Sequence, residues 1–309
     1  MAVLSLSSLV ACAKVGQLKA MKAFKDANVE YQQQEYKKAA VLYENAVYND
    51  PTMGEAWFFL ANSYDNLYRP GRKGEAENDA YLTKAVADYQ KAAQYLTTAN
   101  PNDAKLKKLA FEYLVSSYGP DRLNDPNKAE PVVKQMIELD PSDPENYFAL
   151  AKIYENAGQY DLAEQTLLKA RDVKPSDSAV YLQLAAFYNQ QGEFDKTIAA
   201  LQQRIQRDPK NPEAYYTVAT YYWDKAYRDA TLKDTDKLDL VNKGIDAIDQ
   251  AIQIKPDYME ALVYKGLLLR LEANVVKDPK KQQALIKQAD QLSDQANNLR
   301  KKKAAGVGE

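Results

Sequence analysis

The chain has 309 residues, 46% hydrophobic and 27% charged, with 41 basic against 43 acidic side chains. That near balance excludes a phosphate-tracking surface as its main business, which needs a cationic excess. The absence of histidine removes the commonest general base and metal ligand, and the single cysteine, Cys12, excludes intrachain disulfides and a cysteine-built zinc site.

Taken in chain order, the first twelve residues, MAVLSLSSLVAC, carry no charge and are rich in Leu, Val and Ser. This stretch is shorter than the roughly 18 residues of a transmembrane helix. Four lysines follow, Lys14, Lys19, Lys22 and Lys25, before the first acid, Asp26. From about residue 20 the apolar residues recur three and four apart, the period of amphipathic helices. The clearest unit runs from Tyr147 to Pro175 and repeats 34 residues later from Tyr181 to Pro209. A third copy starts at Tyr215. The columns match position by position: Tyr147, Tyr181 and Tyr215; Leu150, Leu184 and Val218; Ala151, Ala185 and Ala219; Tyr154, Tyr188 and Tyr222. The small residue at Ala151 or Ala185 permits close approach of two antiparallel helices. Gly158 and Gly192 mark the turn between them, and Pro175 and Pro209 stop the second helix.

In this register about seven helical hairpins are predicted, at 20–52, 54–101, 103–141, 144–175, 178–209, 212–256 and 259–300. Residues 12–19 are expected to form a linker and 301–309 a frayed tail. Several copies are stretched, with a surplus at the turn within the hairpin. The segments after Tyr64 and Tyr118 contain Pro and Gly and must turn, whereas RDATLKDTDKL after Tyr227 lacks both and can extend its helices. These surpluses are either tolerated surface insertions or a partner-specific edge.

No motif for catalysis or nucleotide binding is present. Asp234, Asp236 and Asp239 have calcium-loop spacing but lack its Gly and closing Glu, so helix capping and solvation account for them. No metal, cofactor, nucleic acid or small-molecule substrate is expected, and the chain reads as a non-enzyme.

The repeated columns resemble the tetratricopeptide repeat (TPR) family over roughly residues 20–300. The resemblance implies an all-α fold, a right-handed α-solenoid of stacked hairpins that binds another protein, as an extended or helical segment, in a concave groove. In this family the first helix of each repeat lines that groove. The implied groove residues are Phe24, Asn28, Tyr31, Phe58, Asn62, Phe148, Lys152, Leu182, Tyr216, Thr220 and Trp223. Their aromatic rings either face the groove or pack between neighbouring helices, and an exposed ladder would call for a covering partner. The Asn28 and Asn62 amides are expected to hold the backbone of an extended segment. Chaperone-binding members grip a terminal carboxylate with a Lys and an Asn where Phe24 and Phe59 stand here, which argues against that subtype.

Leu9-Val10-Ala11-Cys12 resembles the lipobox of bacterial lipoproteins, in which a peptidase cuts before a lipidated cysteine. The resemblance implies that residues 1–11 are a shortened signal and that Cys12 is the lipidation site. It also implies a lipid-anchored, periplasm-facing protein of the bacterial envelope, with Ala13 favouring the outer membrane. The combined expectation is a membrane-anchored TPR scaffold serving an envelope complex. Alternatives are a structural subunit of a membrane complex and, with Cys12 unmodified, a cytoplasmic adaptor.

Overall fold

The computed structural model describes the backbone of residues 4–305 and the side chains of residues 14–305. The side chains of the lipobox and the end of the expected tail, 306–309, lie outside the described residues. Among those described there are fourteen α-helices and no strand. They form seven consecutive hairpins: α1 (Leu4–Gln32) with α2 (Tyr36–Asn49), α3 (Gly54–Leu67) with α4 (Ala76–Tyr95), α5 (Pro101–Ser117) with α6 (Pro126–Leu139), and α7 (Pro144–Asn156) with α8 (Tyr160–Val173). The series continues with α9 (Ser178–Gln190) and α10 (Phe194–Arg207), α11 (Pro212–Arg228) and α12 (Asp234–Ile254), and α13 (Met259–Val275) and α14 (Pro279–Ala304). This is the repeat fold of the α-solenoid class. Residues 12–19 belong to α1, not to a linker, and α14 carries 301–304 in its last turn. Both ends continue a helix already begun, so no new turn is needed there.

Local chemistry explains the boundaries. Asn100, Asp125, Asp143, Asp177, Asn211 and Asp278 each accept a backbone N–H from the first turn of the helix that follows. All but Asp177 precede a Pro at the first helical position, where its missing N–H costs nothing. Gly158 and Gly192 turn at φ 70° and 75°, the left-handed region. The same position in the first hairpin is held by Gln34 at φ 62°.

One tie recurs at the repeat period. Trp57 Nε1 donates to the carbonyl of Pro51, and the hydroxyls of Tyr147, Tyr181 and Tyr215 donate to those of Pro141, Pro175 and Pro209, at 2.8–3.1 Å. In each case the aromatic lies six residues after the proline that stops the preceding helix, and it fastens one hairpin to the next. At the last junction Leu262, which is buried, stands six residues after Pro256 and has no polar atom to offer.

The stretched hairpins divide their surplus between turn and helix. Between α3 and α4 the chain makes a short 3₁₀ turn at Pro70–Arg72, and α4 is 20 residues long against 14 for α8. The sixth hairpin places most of its surplus in α11 and α12, 17 and 21 residues long.

The chain divides into two compact units, Met1–Thr166 and Leu167–Glu309. In the first, Ala27, Ala39, Tyr43, Ala56, Leu60, Tyr89, Leu114 and Val133 are buried between the helices. In the second, Val180, Tyr181, Leu201, Ala219, Val241, Ile248 and Leu268 fill the same role. Gly244 lets α12 approach closely, since a Cβ there would meet Leu268 Cδ2 at 2.8 Å.

Candidate protein-binding surface

The eleven groove candidates separate by unit. In the first unit, Phe58 and Phe148 are only 4% and 9% exposed. Phe58 is closed over by the rings of Phe59, Tyr89 and Tyr113, with centroids 5.3, 5.8 and 6.2 Å away. Of the two alternatives for these groove candidates, burial selects packing at both, which corrects their place among the groove residues. Both are core: rings of Tyr89 and Tyr113 from the adjoining helices cover Phe58, and Phe148 is buried.

The asparagine expectation changes for a similar reason. Asn62 is buried; its Oδ1 accepts the Tyr31 hydroxyl at 2.6 Å and its amide donates to the Tyr89 hydroxyl at 3.1 Å. Asn28 accepts the Tyr43 hydroxyl at 2.6 Å. Asn62 is spent inside the protein, and one side of Asn28 is spent in the same way. Phe24 and Tyr31 are half-buried, and both lean on Phe59. Lys152 is exposed and pairs with Glu155 at 2.9 Å.

The second unit keeps an accessible set. Tyr216, Thr220 and Trp223 recur four and three apart on α11, which places them on one face, and all three are half-exposed. The Thr220 hydroxyl donates to the Thr217 carbonyl at 2.7 Å. Leu182 on α9 is also half-buried.

Three further aromatics outside the expected groove set join this face. Tyr227 is 62% exposed and stacks on Trp223 with centroids 4.9 Å apart and planes 8° apart. Tyr264 of α13 meets the edges of Tyr216 and Trp223 at 5.3 and 5.7 Å, and Tyr258 lies 5.3 Å from Tyr216. Tyr227 extends the Tyr216 face by eleven residues, a signal present in the sequence. Tyr258 and Tyr264 arrive through the pairing of α13 with α11, which the stretched sixth repeat hides from a 34-residue register.

Burial, reinforced by the neighbouring Tyr264 and Tyr258, pushes the Tyr216 hydroxyl up to about 12. It stays protonated and available as a donor at neutral pH. Beneath the row, Arg204 is 3% exposed, donates to the Thr217 hydroxyl at 3.3 Å and pairs loosely with Glu213 at 3.5 Å. A patch of amphipathic rings with a few polar handles is chemistry for holding another polypeptide: large contact area, little side-chain entropy to lose, and hydroxyls for orientation.

The edge insertions of the first unit are tied together. Arg122, from the turn between α5 and α6, pairs with Asp65 of α3 at 2.5 Å, and its guanidinium lies 5.5 Å from the Tyr68 ring centre. Buried Asn78 exchanges two hydrogen bonds with the Arg69 backbone. An open cleft of about 770 Å³ lies nearby, between α4 and α6 with α5 as its floor, lined by Gln90, Phe111, Leu114, Pro131 and Gln135 among others. No group of three or more acidic or cysteine side chains able to hold a metal occurs among the described residues.

Family models for the tetratricopeptide repeat match residues 122–186 and 178–220. Residues 122–220 of the chain are tetratricopeptide repeats, and the hairpins before and after them have the same helix–turn–helix form, that of a protein–protein interaction scaffold. Among solved structures, the C-terminal part of a TPR repeat-containing protein from Cytophaga hutchinsonii is 15% identical. That match has a TM-score of 0.56 and covers 89% of this chain and 98% of that one. MamA is 23% identical, with a TM-score of 0.41 over 59% of this chain and 92% of that one. YrrB, described as a TPR protein with an unusual peptide-binding site, is 18% identical, with a TM-score of 0.33 over 79% and 90%. No curated protein matches the TPR chain.

Proposed function

We propose that this TPR scaffold works without turnover, by holding a polypeptide segment against the aromatic row of Tyr216, Trp223, Tyr227, Tyr258 and Tyr264. The observation that carries the reading is the half-open cluster of stacked, tilted and edge-on rings on α11, on α13 and at the N-cap of α13. Tyr227 is exposed, and the other four rings pack one flank on the core and leave the other partly open to water, which favours a covering partner.

Site-specific photo-crosslinking tests it. A crosslinker at position 223 or 227 should give a discrete adduct that one at exposed Gln250 does not. Trp223→Ala with Tyr227→Ala should abolish the adduct seen from position 216 while leaving the helical melt nearly unchanged. Loss of the fold in that double variant would assign the rings to packing instead.

The same proposal places the scaffold at a bacterial membrane through an acylated Cys12, facing the periplasm and assisting assembly of an envelope complex. Its support is the lone cysteine set in Leu9-Val10-Ala11-Cys12. Intact mass from native membranes should show cleavage before Cys12 plus acyl chains, whereas unprocessed soluble chain would end this part of the reading.

A further inference from the structure

We propose that the outward face of α1 docks on an anionic lipid surface through its own side chains. This inference deepens the membrane reading but makes no use of an acyl group.

At about 100° per residue, Lys14, Val15, Leu18, Met21, Lys22, Lys25 and Val29 fall within an arc of roughly 120° on α1. The opposite side carries Ala20, Ala23 and Ala27, all buried. Every member of the outward set is exposed, with Leu18 at 68% and Met21 at 59%. None of the four lysines that precede Asp26 makes an ion pair among the described residues. Lys19 and Asp26 flank the arc.

A helix face left to water ordinarily carries polar side chains. This one shows long apolar side chains interleaved with lysines. Such a mixture suits a bilayer interface, where the aliphatic stems lie along the boundary and the ammonium groups reach headgroup phosphates. The helix also outruns its partner. A Cβ on Gly16 would meet the carbonyl of Asn49, the last residue of α2, at 2.8 Å, so Leu4–Val15 continue beyond the end of α2. From residue 4 to residue 13 that overhang contains no acidic or basic residue.

Charge decides between occupants. The chain as a whole carries a net charge of −2, yet its first 25 residues hold four lysines and no acid. A second copy docked face to face would set lysines against lysines, because a two-fold interface uses the same patch twice. An anionic membrane instead attracts each of them.

The test uses the full chain with Cys12→Ser, so that no acyl group can form. Flotation with phosphatidylcholine vesicles, with and without phosphatidylglycerol, should show binding only to the anionic vesicles, weakening steeply as salt is added. Lys14→Glu, Lys22→Glu and Lys25→Glu together should lower vesicle affinity by roughly 100-fold. Leu18→Ser with Met21→Ser should lower it about tenfold without changing the salt dependence. Circular dichroism should confirm that both variants keep the wild-type melt, as expected for exposed positions.

Absence of binding, equal binding to neutral vesicles, or unimpaired binding by the charge-reversed variant would overturn the proposal. So would self-association removed by Leu18→Ser and Met21→Ser. Because acylation plays no part, failure here leaves the Cys12 reading standing, and failure of the Cys12 reading leaves this face intact.

Discussion

Asp88 of α4 faces Glu44 of α2, with Lys84 and Tyr64 beside them. The Tyr64 hydroxyl donates to Glu44, and Lys84 reaches both the Tyr64 oxygen at 3.0 Å and Glu44 at 3.6 Å. Burial and the Glu44 carboxylate push Asp88 from 3.8 up to about 7, against a weaker pull from Lys84. The folded chain therefore keeps a proton that the unfolded chain releases near pH 4. Stability contributed at this position falls as pH rises from about 4 to about 7 and levels off above. Asp88→Asn should accordingly stabilise the protein by about 2 kcal/mol at pH 8 and hardly at all at pH 4, measured by urea unfolding at the two pH values. An equal effect at both would mean that the carboxyl is not protonated in the native state.

At the scale of helices and turns, the first hairpin stores a small strain. Gln34 occupies the left-handed conformation that Gly158 and Gly192 hold in later repeats, and an L side chain there costs roughly 1 kcal/mol. Gln34→Gly should raise the melting temperature, and Gly158→Ala should lower it by a comparable free energy. The aromatic-to-proline tie provides a second prediction. Tyr181→Phe removes the donor to the Pro175 carbonyl and also the acceptor of Arg207 Nε at 3.2 Å. Tyr215→Phe removes only the tie to Pro209. By chemical denaturation Tyr181→Phe should cost about 1 to 2 kcal/mol and Tyr215→Phe about half as much, since Tyr215 is the more exposed of the two.

Elements of this kind were legible in advance. A 34-residue period and an inner-turn glycine mark the fourth and fifth hairpins, and a proline six residues before an aromatic marks the start of the second, fourth, fifth and sixth, which sets the register in which the degenerate copies are read. The surface was less legible, because a repeat column records where a side chain starts and not what leans over it. Phe58 and Tyr216 stand in the same column. Tyr89 and Tyr113 close over the first, while the second keeps one flank open beside Tyr264. Those covering residues come from neighbouring hairpins of unequal length, and no single repeat contains the information. Val15, Leu18 and Met21 were passed over for a different reason: no later repeat repeats them.

Across the whole molecule, packing is uneven. The hairpin of α5 and α6 borders the 770 Å³ cleft, and Pro131 sits inside α6, where it removes one helical hydrogen bond. Regions with fewer apolar contacts open first. Native-state hydrogen exchange should find the amides of α6 among the least protected of the helical interior, and those of α12, which packs its buried face against α11 and α13, among the most. Filling the cleft by Gln135→Leu should slow exchange in α6 without altering α12.

Of the two indoles in the chain, Trp57 is held by the Pro51 carbonyl in residues 1–166 and Trp223 is stacked on Tyr227 in residues 167–309. Each compact half thus owns one indole, which can be excited at the red edge of the absorption band where the tyrosines do not absorb. Exchange of either for phenylalanine leaves a spectroscopic witness to the other half alone, so that sequential and concerted denaturation can be told apart by emission without attaching a dye.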